Sequence, residues 1–288
     1  MIYLLLVLSI FLAVFKSSVY NHYAKGDSPD TNGVFRYNAV CYGIAAVVAL
    51  IVGIGSSLSA GTFWVAILYA VVVFSMQALS ISAMTIGPMG ATSLLLLYGM
   101  IIPSVAGPIF WHEPFSIWQG AGVLLVLFSM WLLGENNPED KSANKKWIVL
   151  ALLCFLFSGL AGLSEKIHQS TDGREERIMF LFIACIFMLV FSLLGMLVVK
   201  KNPEKKTNVK SILGHGGISG ILVGIYAPIN LTLAGKLDSL IYYPVANGGA
   251  LLLTVIISVL VFREKCTKRR LLGFITGFLS ILLLSLPI

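Results

Sequence analysis

Residues 111–122, WHEPFSIWQGAG, separate two strongly apolar runs, and residues 262–273, FREKCTKRRLLG, do the same near the end of the chain. Laying the sequence over itself so that Glu113 meets Glu264 also brings Gly122 onto Gly273, Ser129 onto Ser280 and Ala83 onto Ala234. Ser116 then faces Thr267, and Trp111 faces Phe262. Apolar matches are cheap in a hydrophobic chain, so the polar and glycine coincidences carry the weight. They indicate an internal duplication with boundaries at residues 1–137 and 138–288.

The surrounding chain sets the physical context. Of 288 residues, 58% are hydrophobic and only 11% charged, whereas a soluble domain carries roughly 25% charged residues. A helix needs roughly 20 apolar residues to cross the hydrocarbon layer. Runs of that kind occur at about 2–20, 37–55, 63–84, 89–110, 116–134, 147–166, 178–199, 211–233, 239–262 and 270–287. The expected fold is an all-α polytopic membrane protein with ten transmembrane helices. The first run lacks a basic leader and a small-x-small cleavage site, so it reads as a retained helix.

Five spans per copy is an odd number, so the second copy must enter the bilayer upside down, giving two inverted five-helix repeats. Charge supplies a separate test, because cytoplasmic loops are enriched in Lys and Arg. WHEPFS has neither residue, while FREKCTKRR has five. Loops after the odd-numbered spans, counting Arg270 with the last of them, hold 15 of the 20 basic residues. That pattern places both termini outside the cytoplasm. In each copy a hydroxyl, Ser116 or Thr267, stands where it would cap the next helix. A glycine, Gly122 or Gly273, follows where a neighbouring helix could approach closely.

The stretch FWHEPFSIWQGAGVLLVLFSMWLL and its weaker echo VFREKCTKRRLLGFITGFLSILLL resemble the hairpin motif of the drug/metabolite transporter superfamily, in particular its ten-helix branch with duplicated EamA-type domains. Lys16 falls where that family often carries a lysine on its first helix, although the usual Trp-Gly pair before it is absent. The resemblance implies a secondary transporter without an ATP site and a central cavity lined by helices 1, 3, 4, 6, 8 and 9, with helices 5 and 10 at the periphery. It also implies cytoplasmic termini, opposite to the charge count. Cargo in the family ranges over amino acids, sugars, sugar phosphates, nucleosides, drugs and lipid-linked sugars.

Ionisable groups inside spans are costly and mark candidate function. Lys16 lies in span 1, and Glu165 and Lys166 lie at the end of span 6, where Lys166 is the approximate repeat counterpart of Lys16. Two such lysines could hold a carboxylate or phosphate group, or could snorkel to an interface on their aliphatic stems. Glu165 is the expected proton-carrying carboxylate, with Lys166 as its charge partner. Neutral candidates follow helical spacing: Tyr226 with Asn230, Tyr243 with Asn247, and Gln77 with Ser80. These residues suit either substrate contact or interhelical hydrogen bonding, and Tyr98 suits an aromatic wall or ordinary packing. Pro88, Pro103, Pro108, Pro228 and Pro244 are candidate kinks or hinges.

Other classes fit less well. His22, His112, His168 and His215 are scattered without carboxylates at catalytic spacing, so no catalytic residues and no enzyme are expected. Cys41, Cys154, Cys185 and Cys266 form no metal-binding pattern, so neither a metal nor another cofactor is expected. The net charge of +7 belongs to loops facing anionic lipid, which argues against nucleic acid. The expected partners are a small-molecule substrate, the lipid bilayer, and a coupled proton or counter-substrate, in a monomer or homodimer. The expected location is the bacterial inner (plasma) membrane. A lipid-linked sugar flippase and a multidrug exporter stand as alternatives to a metabolite transporter.

Overall fold

The computed structural model describes residues 2–27, 30–53, 56–86, 89–133, 145–199, 208–260 and 268–284. Among these, the chain forms α1 (Ile2–Asp27), α2 (Thr31–Val52), α3 (Ala60–Ile86), α4 (Met89–Tyr98), α5 (Ile101–Phe110), α6 (Ile117–Leu133), α7 (Lys145–Gln169), α8 (Arg177–Val198), α9 (Val209–Lys236), α10 (Ser239–Leu260) and α11 (Lys268–Leu284), with a 3-10 turn at Asp172–Glu175. In α1, α2, α3, α7, α8 and α9 the helix is long and apolar enough to cross a membrane, while α6 and α11 are shorter apolar helices. Helices satisfy their own backbone hydrogen bonds, the requirement that hydrocarbon imposes on any spanning segment. Glu264, Thr267, Cys266 and Pro88 lie outside the described residues.

Two compact units emerge, each drawn from both halves of the sequence: Met1–Phe74 with Ile167–Thr232, and Ser75–Lys166 with Leu233–Ile288. In the first, α2 packs along α8 through Ala45, Ala46 and Cys185. Asp30 begins α2 by accepting a hydrogen bond from the Gly33 N–H at 2.8 Å, as an N-cap should. Two residues on, the Asn32 amide donates to the Met196 and Val199 carbonyls at 2.9 and 2.8 Å. Those carbonyls belong to the last turn of α8, which has no partners of its own.

The loop side of the first unit is fastened by Glu176. Its carboxylate accepts from the Ser59 N–H at 2.9 Å, the Ser59 hydroxyl at 2.7 Å and the Ser57 hydroxyl at 3.2 Å. Hydrogen bonds from Thr62 and Ser59 favour the ionised form and bring its pKa down from 4.5 to about 2.

In the second unit α6 packs along α11, and glycine governs the approach. A side chain at Gly122 would meet Leu284 at 2.8 Å, and one at Gly277 would meet the Ser129 hydroxyl at 2.7 Å. Ser129 donates to the Gly273 carbonyl at 2.7 Å. Ser116 caps α6 as the sequence suggests, with the Trp118 N–H reaching its hydroxyl at 3.3 Å. Gln119 returns the bond to the Ser116 N–H at 3.2 Å, completing a capping box.

The fourth apolar run is not one continuous helix. It breaks between α4 and α5 at Gly99–Met100, and Pro103 is the reason: its ring displaces the carbonyl four residues back, which belongs to Gly99, and it has no N–H to offer. The opened backbone is covered by α7. Ser158 donates its hydroxyl to the Leu96 carbonyl at 2.7 Å, and the position a Gly159 side chain would occupy lies 2.7 Å from the Gly99 carbonyl. Pro228 and Pro244, by contrast, sit inside unbroken α9 and α10.

Two outcomes follow from these contacts. Gly159→Val drives a branched side chain into Ile102 and the Gly99 carbonyl and lowers stability by about 1–3 kcal/mol, measured as the midpoint of thermal unfolding in detergent. The Glu176 contribution is complete above its ordinary value of 4.5 and is lost as pH falls through about 2. Thermal melting of the parent protein therefore declines more steeply below pH 4.5 than that of Glu176→Gln; parallel acid profiles would refute this role for Glu176.

Candidate functional site

Two polar clusters stand out against the apolar composition, one in each unit. In the first, α1 carries Lys16, Tyr20, Tyr23 and Asp27 at intervals of four, three and four, a spacing that puts them on one helix face. On α9, Ser211, His215, Ser219, Tyr226 and Asn230 likewise share a face. The two stripes meet. The Lys16 ammonium lies over the Tyr226 ring, 5.6 Å from its centroid, within cation–π range. Tyr23 stacks on Tyr37 of α2 at 4.8 Å, and Tyr20 meets the same ring edge-on at 5.3 Å. The Tyr37 and Ser219 hydroxyls lie 2.5 Å apart.

Beyond the tyrosines, Ser211 donates to the Asp27 carboxylate and stands 3.1 Å from Nδ1 of His215. The His215 ring lies 5.3 Å from that of His22. Lys16 and Asp27 therefore occupy opposite ends of one seam. Among the described residues, no carboxylate pairs with Lys16, and the buried Asn230 side-chain oxygen accepts no hydrogen bond.

The second cluster is built around Glu113. Phe110 ends α5, and His112 turns the chain with a positive φ of 52°, a conformation uncommon for a residue with a side chain. The turn sends the Glu113 carboxylate back over Gly107, where a side chain at 107 would collide with it. There it accepts from the Ser239 N–H at 2.6 Å and the Ser239 hydroxyl at 3.2 Å, and forms an ion pair with Lys166. Lys166 also donates to the Ala234 carbonyl at 3.2 Å. Each partner of the pair leaves only 9% of its side chain exposed.

The placement follows helix electrostatics. Ser239 opens α10, so its N–H lies at a positive helix end, while Ala234 lies in the last turn of α9 at a negative one. Glu113 satisfies the first and Lys166 the second, fixing the short α9–α10 turn. Asp238 within that turn has its carboxyl pKa raised by burial and then by the neighbouring Glu113 charge, with Lys166 opposing.

This pairing differs from the one expected between Lys166 and Glu165. The Lys166 ammonium reaches Glu113, a carboxylate brought in by the turn after α5. The other expected residues are divided. Tyr243 donates to the Gly162 carbonyl at 2.6 Å and Tyr98 to the Leu127 carbonyl at 2.9 Å, both holding helix to helix. Asn247 and Ser80 bond within their own helices, to the Tyr243 and Gln77 carbonyls at 2.9 and 2.8 Å. Gln77 also lies in the second unit, as do Glu165 and Lys166, whereas Lys16, Tyr226 and Asn230 belong to the first.

Sequence reading placed Glu113 in a hairpin and did not count it among the substrate-site residues. The available signal was an acidic residue with no basic neighbour in its own loop. Tyr20, Tyr37 and Ser219 escaped notice because their significance comes from three helices meeting.

Residues 145–286, which contain α7 to α11, match the EamA-like transporter family. The match covers just under half of the chain, and together with the long apolar helices it marks an integral membrane protein. A protein of known crystal structure shares the fold with a TM-score of 0.76, over 97% of this chain and 96% of its own, at 12% identity. None of the curated proteins matches the sequence.

Removing one partner of the buried pair strands the other. Lys166→Ala and Glu113→Ala each lower unfolding stability by roughly 3–5 kcal/mol, whereas a double replacement by methionine recovers part of the loss. Equal loss in singles and double, measured by denaturation of the purified protein, would contradict this account.

Proposed function

We propose that this EamA-family protein is a secondary transporter of a small metabolite bearing a negative group: an amino acid, an organic acid or a phosphorylated metabolite. The observation that carries the reading is Lys16. A lysine within a membrane-crossing helix is costly, and this one has an aromatic face beneath it but, among the described residues, no carboxylate partner. An anionic group arriving from outside the chain supplies the missing countercharge. Asn230, one turn from Tyr226 on the same face of α9, offers an unsatisfied buried oxygen to a donor on the same molecule.

In this reading the five-helix repeats 1–137 and 138–288 are inverted relative to one another and alternate access to the site, as inverted repeats do in secondary transporters. The correspondence of Glu113 with Glu264 when the sequence is laid over itself supports it. Lys166 takes a second, anion-handling role; Gln77, Ser80, Tyr98, Glu165, Tyr243 and Asn247 shape or support the path. The expected setting is a bacterial inner membrane, with a proton or counter-substrate providing coupling.

The decisive experiment is a thermal-shift screen of detergent-purified protein against amino acids, organic acids, sugar phosphates, nucleosides, quaternary cations and lipid-linked sugars. A ligand at 100 times its Kd adds about 2.7 kcal/mol of apparent stability. An acidic metabolite stabilises the parent protein, and Lys16→Met loses that response while keeping the fold. Stabilisation only by quaternary cations or by lipid-linked sugars, unchanged in Lys16→Met, would instead identify a multidrug exporter or a flippase.

A further inference from the structure

The Glu113 cluster has the composition of a ligand site with the ligand supplied by the chain itself. A carboxylate there receives an ammonium from Lys166, a backbone N–H from Ser239 at 2.6 Å and a hydroxyl from the same residue at 3.2 Å. These are the groups that recognise a free carboxylate or phosphate: a cation, an amide at the start of a helix and a neutral donor. The bound carboxylate hangs on a two-residue turn after α5. His112 holds that turn in a left-handed conformation, and Gly107 leaves the space the carboxylate fills. Both features serve to deliver the Glu113 carboxylate to the three donors.

We infer that Lys166, the Ser239 N–H and the Ser239 hydroxyl form an anion-binding site for a carboxylate or phosphate group, and that Glu113 is its tethered, exchangeable occupant. The inference deepens the transporter reading and rests on it for the identity of the exchanging anion: the acidic group of the transported molecule takes the place of Glu113. When Glu113 leaves, α10 loses its contact with the α5–α6 turn. Lys166 keeps its bond to the Ala234 carbonyl at 3.2 Å and stays in position for the incoming anion. Arrival of an anion thus releases the α5–α6 turn from the α9–α10 turn without stranding the lysine, because one negative group replaces another.

The test needs no knowledge of the cargo. Full-length protein in detergent and chloride buffer is titrated with acetate and, separately, with inorganic phosphate, while thermal unfolding is followed. Glu113→Ala vacates the site, so acetate raises its melting temperature saturably, by about 2–4 °C at tenfold its Kd. Glu113→Ala/Lys166→Met shows no rise, and the parent protein responds at least about tenfold more weakly because its own carboxylate competes. A stronger response to phosphate than to acetate assigns the site to phosphorylated cargo, and the reverse assigns it to carboxylates.

Should Glu113→Ala fail to survive in chloride, its recovery in acetate is the same rescue in another form. Glu113→Asp, which retracts the carboxylate by one methylene, serves as the second variant. No saturable response in either variant, or an equal response in the double variant, overturns the inference. In that event a Lys16-dependent response to acidic metabolites in the parent protein still stands, so the two readings fail separately.

Discussion

A backbone carbonyl or amide that faces hydrocarbon has no water to fall back on, and this constraint explains most of the contacts that hold the protein together. Where a helix is interrupted, a side chain from a neighbour fills the vacancy: Ser158 reaches the Leu96 carbonyl beside the α4–α5 break. Where a helix ends, a charge or an amide does so, as Asn32 does for α8 and Lys166 for α9. Tyr98 and Tyr243 extend the same principle sideways, donating to carbonyls of adjacent helices. Such bonds are individually modest, about 0.6 kcal/mol on average in membrane proteins. Their value here lies in fixing which helix face meets which.

The two intramembrane lysines illustrate how context separates chemically identical residues. Lys166 has a carboxylate and a carbonyl and is 7% exposed. Lys16 has an aromatic ring and remains half-buried. The first arrangement is electrically complete among the residues of the chain; the second is completed by something added. One lysine thus carries a counter-anion of its own, and the other, among the described residues, does not.

How much of this could be read from the sequence depends on the range of the information. Helical periodicity placed Tyr226 and Asn230 on one face, and it holds because one helix decides it. The Ser116 cap was legible for the same reason, being a matter of four consecutive residues. The Glu113 partner of Lys166 was not foreseen, because sequence proximity suggested Glu165, while Glu113 comes from a turn more than fifty positions earlier. The break in the fourth apolar run was written in Pro103, yet the neighbouring prolines at 228 and 244 leave their helices intact. Beside the Pro103 break Ser158 of α7 takes up the Leu96 carbonyl, a fact of packing that no single segment contains.

That packing gives the fourth apolar run an unusual mechanical character. A helix of its full length would bend a little everywhere; two short rods joined at Gly99–Met100 bend at one place. Because α7 lies across the joint with Gly159 against the Gly99 carbonyl, it works as a splint. Flexing the joint means sliding or tilting α7 as well, so the stiffness of the fourth apolar run is borrowed from a helix encoded some fifty residues later.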